Sequence, residues 1–137
     1  MKKNNFLAFL DISIIDILPQ KFQRELILNS LIKQKLNLEN VRNENLDSFR
    51  DCEVIKKTIN GKFKVQGFAF FSLLQFCYGK KFRYDLVDKI IKKKQKIYFF
   101  REDLLIQNSN ELKKLRKSLL LFKINNQKFI DKILTIQ

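Results

Sequence analysis

The chain has 137 residues, of which 28 are Lys or Arg and 14 are Asp or Glu, so its formal net charge is +14. Its length suits one domain, and its 45% hydrophobic content excludes the class of chains that are too polar to form a core. Histidine is absent, which excludes a Ser-His-Asp triad, a Cys-His pair and histidine metal ligands.

The first 50 residues predict a strand, a helix and a second strand. An aromatic and branched run predicts the first strand over Phe6–Ile12. Pro19, followed by apolar residues at helical spacing, predicts a helix that ends near Lys35. Rough alternation of apolar and polar residues predicts a strand over Leu36–Arg42, and the polar segment Asn43–Arg50 reads as a loop.

The next segment predicts a short helix, a central strand and an amphipathic helix. The short helix covers Asp51–Ile59 and ends at Asn60-Gly61, a strong stop signal. The most apolar stretch, Val65–Leu74, predicts a central strand that is buried on both faces. Apolar residues then recur on one face of a helix from Phe82 to Lys93.

Two short strands and a last helix complete the predicted elements. The strands cover Lys96–Phe100 and Leu104–Ile106, and the helix begins at an Asn108–Glu111 capping box or at Ser109 and reaches about Ile124. Strands that alternate with helices predict a single three-layer α/β domain over residues 1–124, with helices on both faces of a mostly parallel sheet of four or five strands. Residues 125–137 are expected to form a tail that packs on the core, packs on a partner, or frays.

Much of the positive charge has an explanation at the level of the genome. Lys, Ile, Phe and Asn, whose codons are rich in A and T, account for 64 residues, whereas Ala, Gly and Pro account for six. Lysine outnumbers arginine by 22 to 6, although arginine is the residue that binds phosphate bidentately. We therefore attribute most of the charge to a bacterial genome of low G+C content.

The remaining excess of charge is local, because residues 51–137 carry a net charge of +12 and residues 1–50 carry +2. Its cations lie before and along the two C-terminal helices: Lys80, Lys81, Arg83, Lys89, Lys92, Lys93, Lys94, Lys96, Lys113, Lys114, Arg116 and Lys117. Converging cations would form a phosphate-binding stripe, and separate ones would be solvated helix faces. No helix-turn-helix, zinc-finger or RNP motif accompanies them, which disfavours a nucleic-acid partner.

The two cysteines and the apolar runs give no sign of a metal site or a membrane span. Cys52 and Cys77 lie far apart, without CxxC spacing, so we expect two reduced thiols with a structural role. The apolar run Phe68–Tyr78 is about half as long as a transmembrane helix. We therefore expect a cytoplasmic protein with no cofactor, no metal and no membrane span.

In an open α/β sheet, ligands bind beyond the carboxyl ends of the strands. The polar residues that follow the predicted strands are Asp11, Ser13, Asp16, Arg42, Asn43, Glu44, Ser72, Gln75, Tyr78, Arg101 and Glu102. Serine beside arginine would suit phosphoryl chemistry, because a guanidinium stabilises developing negative charge. The alternative is that these are solvated turn residues. No glycine-rich phosphate-binding motif occurs, which excludes a dinucleotide fold and a P-loop.

Four stretches carry a resemblance to a known family. They are Pro-Gln-Lys-Phe-Gln at 19–23, Gly-Phe-Ala-Phe-Phe-Ser-Leu-Leu-Gln-Phe at 67–76, Arg-Tyr-Asp-Leu-Val at 83–87, and Lys-Lys-Gln-Lys-Ile-Tyr-Phe-Phe-Arg-Glu-Asp-Leu at 93–104. In this order they resemble motifs of the sporadic carbohydrate cluster proteins, and the likeness spans about residues 6–124. That family has a Ser-Arg pair after its first strand where this chain has Ile12-Ser13, which disfavours recombination by a serine nucleophile.

The resemblance implies a resolvase-like α/β fold and an accessory or enzymatic role in bacterial surface-polysaccharide or other glycan biosynthesis. The implied ligand is a sugar or a nucleotide-sugar, and it remains open whether the chain is an enzyme. The residues that we expect near this ligand are Ser13, Gln23, Glu44, Ser72, Arg83 and Glu102.

The alternative function is a non-catalytic interaction module, a diverged paralogue that pairs with a partner. It would form a homo- or hetero-oligomer through the last helix and the tail. The apolar residues that favour this hypothesis are Phe122, Phe129, Ile130 and Ile133.

Overall fold

The computed structural model describes residues 4–44, 49–61, 64–77 and 82–119. Within these residues, strands and helices alternate along most of the chain. The strands are β1 (Asn5–Phe9), β2 (Asn37–Arg42), β3 (Gly67–Phe70), β4 (Lys96–Phe99) and β5 (Leu104–Ile106). The helices are α1 (Gln20–Lys33), α2 (Glu53–Asn60), α3 (Tyr84–Lys92) and α4, which is helical over 109–119.

The five strands form one sheet in the order β2-β1-β3-β4-β5. The first four are parallel, and β5 is antiparallel to β4. β5 reverses direction because the connection from β4 is a tight turn, in which the Asp103 amide donates to the Phe100 carbonyl at 3.0 Å, and a parallel crossover needs a dozen or more residues. The predicted α/β domain with a mostly parallel sheet is confirmed.

The sheet divides the core into two layers. On one face, α2, α3 and α4 pack over a phenylalanine cluster in which Phe70 stacks on Phe9 at 5.2 Å and meets the edge of Phe76 at 4.7 Å between ring centroids. On the other face, α1 packs alone and buries Ile27 and Leu31. The two faces of the sheet therefore carry unequal helical cover.

The first strand is shorter than its apolar run predicts. β1 ends at Phe9, and Ile12–Ile14 form a 3-10 turn rather than the end of a strand. Asp11 caps this turn, since its carboxylate accepts the Ser13 amide at 3.1 Å. A side-chain cap at Asp11 ends the extended backbone although the residues beyond it are apolar.

The central strand is buried on both faces as predicted, but its end at Leu74 is wrong. β3 ends at Phe70, and Leu73–Phe76 form a 3-10 turn. Ser72 and Gln75 form a capping box that binds the backbone of this turn. The hydroxyl and amide of these side chains compete with sheet pairing for the backbone, which an apolar pattern does not reveal.

The other predicted element boundaries differ from the observed ones by a few residues or lie outside the described residues. Phe49–Asp51 form a 3-10 turn inside the predicted loop, and Asn108 rather than Ser109 caps α4, because its side chain accepts the Glu111 amide at 3.0 Å. The tail at 125–137, Phe122 and the predicted end of the last helix at Ile124, together with Tyr78, Lys80 and Lys81, lie outside the described residues. No helix within the described ranges is long and apolar enough to cross a membrane.

Candidate functional site

The carboxyl ends of β1 and β3 form the switch point of the sheet. The chain leaves β1 toward α1 on one face and leaves β3 toward α3 on the other. In open α/β sheets the crevice for ligands opens between two such strands. The polar side chains at this point therefore decide whether a crevice exists in this protein.

Gln23 and Ser13 surround the Asp11 segment at the end of β1. The Gln23 amide group accepts a hydrogen bond from the Asp11 backbone N–H at 2.7 Å and donates to the carbonyls of Asp11 and Leu18 at 2.9 and 3.0 Å. The Ser13 hydroxyl donates to the Asp11 carboxylate at 2.6 Å. Gln23 is fully buried, so its side chain holds the loop between β1 and α1 together.

Ser72 and Glu102 meet at the ends of β3 and β4. The Ser72 hydroxyl donates to Glu102 Oε2 at 2.8 Å, and the Leu73 amide donates to Glu102 Oε1 at 2.9 Å. A serine beside a carboxylate is a geometry that can activate a nucleophile. Here, however, the Ser72 side chain is fully buried and also accepts the Leu74 amide at 3.1 Å. The pair therefore links two loops.

Gln75 crosses the switch point. Its side-chain nitrogen donates to the Leu10 carbonyl at 3.3 Å and to the Phe9 carbonyl at 3.5 Å, while its oxygen accepts the Ser72 amide at 3.0 Å. The side chain thus ties the end of β3 to the end of β1. Among the described residues, the polar side chains at the switch point therefore bond to other groups of the protein.

Glu44 and Cys52 lie at the start of α2. The Glu44 carboxylate accepts the amides of Val54 and Ile55 at 2.9 and 2.7 Å, and so it caps the helix from outside. Burial raises the pKa of Glu44, and the two backbone hydrogen bonds oppose that rise. Burial raises the pKa of the Cys52 thiol to about 11, with a further contribution from the charge of Glu44. A thiol with this pKa is protonated at neutral pH, which supports a structural role.

Arg83 lies directly before α3 and binds Asp85. Two hydrogen bonds of 3.0 and 2.9 Å join the guanidinium to the carboxylate, and this pairing lowers the pKa of Asp85. The charge of Arg83 also reaches the Cys52 thiol. The six residues predicted near a ligand therefore do not form one site. Ser13 and Gln23 bind the Asp11 segment, Ser72 binds Glu102, Glu44 caps α2, and Arg83 pairs with Asp85.

A cavity that the sequence does not predict lies between α1 and the edge strand β2. Its volume is about 400 Å³. Its lining includes Lys21 and Arg24 from α1 and Asn40 and Asn43 from β2 and the residue that follows it. The only signal in the sequence is indirect: β2 alternates weakly and carries polar residues on both sides, as edge strands do.

A second groove, of about 360 Å³, lies between α3 and α4. Arg116 lies 4.6 Å from the centre of the Tyr84 ring, so the two helices that carry the predicted basic stripe are neighbours. The groove between them mixes both signs of charge, with Asp85 and Asp88 on α3 facing Lys113 and Arg116 on α4. The stripe is therefore interrupted by carboxylates, and Asp88 also pairs with Lys92 at 2.9 Å.

The outer face of α1, which we define by Phe22, Leu26 and Ile32, exposes these three apolar side chains by 52%, 40% and 60%. The polar residues Glu25 and Asn29 lie among them on the exposed side of the helix. The opposite face of the helix is buried against the sheet. Large apolar side chains exposed in this way mark a candidate interaction surface.

The described part of the chain contains no group of three or more Cys, Asp or Glu residues that could hold a metal ion. No protein-family model, curated protein or solved structure matches the chain. The described residues thus define an open, mostly parallel α/β domain in which Ser72, Gln75 and Glu102 bind the protein's own backbone at the switch point and α1 exposes apolar side chains on its outer face.

Proposed function

We propose that this chain is a non-catalytic accessory protein of bacterial glycan biosynthesis that binds an acidic partner protein through the outer face of α1. The observation that carries the proposal is the apolar, exposed face of a helix whose other face is already buried. The motifs that resemble the sporadic carbohydrate cluster proteins favour the glycan setting.

The state of the switch point supports the absence of catalysis. Both predicted serines lie beside a carboxylate. The Ser13 hydroxyl donates to Asp11 within the loop between β1 and α1, and a substrate would have to displace Glu102 and the Leu74 amide to reach Ser72. Gln75 holds the two loops together at the same point. A buried group that already satisfies several backbone amides is costly to withdraw from them.

The spacing on α1 supports a helix-binding partner. Phe22 and Leu26 lie four residues apart and thus share one side of the helix, and Ile32 lies further along the exposed surface. Aromatic and branched side chains of this kind are the anchors of protein interfaces. Ile17, three residues before the start of α1, is 64% exposed and adds an apolar side chain near this end of the helix.

The charges around this face favour an acidic protein over a second copy of the chain. The exposed ionic residues on and directly after α1 are four cations and one carboxylate: Lys21, Arg24, Lys33, Lys35 and Glu25. Two copies would bring like charges together on chains that each carry +14. Electrostatic complementarity therefore selects a partner with an apolar helix face and an acidic rim.

The proposal is tested with two synthetic helical peptides that share one leucine stripe, one rich in Glu and the other rich in Lys. We expect fluorescence anisotropy to show binding of the acidic peptide, and Phe22→Ala/Leu26→Ala to weaken it about tenfold or more, because two anchors are lost. Lys117→Ala, on the exposed side of α4, is the control and leaves binding unchanged.

Three results would overturn the proposal: no binding of either peptide, equal binding of both, or a dimer of the chain alone in size-exclusion chromatography with light scattering. If the acidic peptide binds, purified enzymes encoded beside this gene are the partners to examine next. Loss of binding in the double variant must occur with an unchanged circular dichroism spectrum, which exposed positions on a helix permit.

A further inference from the structure

We propose that the cavity between α1 and β2 binds a small sugar phosphate. The cavity adjoins the switch point through Leu10 and shares Lys21 and Arg24 with the charges around α1, but Phe22 and Leu26 do not line it. The variants that test it therefore leave these two apolar side chains in place, so that failure of this inference and failure of the proposed protein partner are distinguishable. The polar residues of the lining are Gln20, Lys21, Arg24, Glu39, Asn40 and Asn43.

The anionic part of the ligand is indicated by the charges of the lining. Lys21 and Arg24 lie three residues apart on α1 and so project on the same side of the helix. The lining contains one carboxylate, Glu39, so its cations outnumber its anions by two to one. The first turn of α1 carries no acidic residue, and Pro19 provides no side-chain cap. The positive end of the helix dipole therefore adds to the positive potential of the two cations.

The hydroxyl-rich part of the ligand is indicated by the amide side chains. Gln20, Asn40 and Asn43 line the cavity and offer both donors and acceptors. Asn43 Oδ1 makes no hydrogen bond within the described part of the chain. The Asn43 amide can therefore turn toward a ligand hydroxyl without breaking a bond at this oxygen. Leucine and valine side chains in the lining suit the apolar face of a sugar ring.

The size of the cavity selects among sugar ligands. A volume of about 400 Å³ lies near the lower end of the range for small-molecule sites. It matches a monosaccharide phosphate better than a nucleotide-sugar, whose base and second phosphate would extend beyond it. We therefore expect glucose 1-phosphate or a similar hexose phosphate to bind more tightly than UDP-glucose.

The experiment is a titration of the full chain with glucose 1-phosphate, glucose, inorganic phosphate and UDP-glucose, followed by amide NMR shifts and calorimetry. We expect saturable binding of the hexose phosphate, with the largest shifts at the start of α1 and the end of β2. Lys21→Gln/Arg24→Gln should weaken this binding at least tenfold.

The α3–α4 groove supplies a matched control. Lys113 and Arg116 have the same residue types at the same spacing in a cavity of similar volume. Lys113→Gln/Arg116→Gln should leave the affinity unchanged. Four results would each overturn the inference. They are an equal loss of affinity in both double variants, equal affinity for inorganic phosphate alone, tighter binding of UDP-glucose, and no NMR shifts at millimolar hexose phosphate. The peptide experiment on the outer face of α1 does not depend on any of these outcomes.

Discussion

At the scale of single residues, chemical type predicts reactivity poorly when burial is unknown. Ser72 and Glu44 have side chains suited to catalysis, yet each accepts a hydrogen bond from a backbone amide. Cys52 likewise lies against the Gln75 carbonyl, with its sulfur 3.6 Å from that oxygen. These polar side chains provide hydrogen-bond partners for backbone groups that secondary structure leaves unpaired.

The two cysteines should differ in reactivity because their surroundings differ. Cys52 is buried with a thiol pKa of about 11, whereas Cys77 is half-buried. We expect a thiol-specific reagent at neutral pH to modify one thiol quickly in the folded protein, and Cys77→Ser to abolish this fast reaction. Reactivity of Cys52 should appear only as the pH approaches 11 or on unfolding, since the thiolate is the reacting species.

The variant Cys52→Ala is the control for this measurement and should retain the fast thiol.

The raised pKa of Cys52 also makes the stability of the protein depend on pH. The unfolded chain releases the Cys52 proton before the folded chain does, so this group's contribution to stability is complete below about pH 9 and is lost as the pH rises toward 11. Fast modification of two thiols at neutral pH in the folded state would contradict the raised pKa of Cys52.

At the scale of elements, side-chain caps decide where the strands and helices end. The four residues Leu73–Phe76 are apolar enough to extend β3, but the Ser72–Gln75 capping box turns them into a 3-10 turn. The same box brings Gln75 to the end of β1. The cap that ends the central strand therefore also links the ends of β3 and β1.

Replacement of Gln75 tests this connection. Gln75→Leu keeps the volume of the side chain but removes its hydrogen bonds to the backbone of Ser72 and Leu10. We expect the free energy of unfolding in urea to fall by about 1–3 kcal/mol, since buried backbone groups lose their partners. The exposed control Gln107→Leu should change it by less than about 0.5 kcal/mol. Equal effects at the two positions would show that Gln75 does not join the strands.

At the scale of the whole molecule, the sheet has two unequal faces. Among the helices of the described ranges, three cover one face and α1 covers the other. Beside α1 the apolar side chains of Leu38, Phe100 and Leu105 are only partly buried. Unequal cover leaves apolar surface near α1, and the same region contains the cavity against β2. Both proposals therefore concern the side of the molecule that its own helices cover least.

Assembly of the sheet depends on close approach at Gly67. A Cβ at this position would lie 2.6 Å from the Lys96 carbonyl and 2.7 Å from the Phe6 ring, so β1, β3 and β4 converge where only glycine fits. We expect Gly67→Ala to destabilise the protein by about 1–3 kcal/mol in chemical unfolding, because three strands must shift.

Gly61→Ala is the matched control for that measurement. Gly61 has φ −79° and ψ 176°, which alanine adopts without strain, so the free energy of unfolding should be unchanged or slightly higher. A Gly67→Ala protein as stable as the Gly61→Ala protein would disprove the close approach of the strands.

The sequence by itself determined the class of fold and the order of its elements. Apolar runs of strand length that alternate with helical periodicity require a mostly parallel sheet, and β5 coincides with its predicted range, Leu104–Ile106. The ends of α1, α2 and α3 were within a few residues of their predictions because stop signals such as Asn60-Gly61 act locally. These features depend on neighbours in the chain, which a single sequence displays.

Only the tertiary structure decided what the polar residues do. Ser72 and Glu102 are 30 residues apart in the chain, and Gln75 is 65 residues from the carbonyl that it binds. The cavity likewise combines residues of α1 with residues of β2. Contacts over such separations follow from how the sheet brings strand ends together, and periodicity carries no information about them. For this reason the sequence predicted a ligand at the carboxyl ends of the strands, whereas in the described residues the polar side chains there bind the protein's own backbone and a cavity lies beside α1.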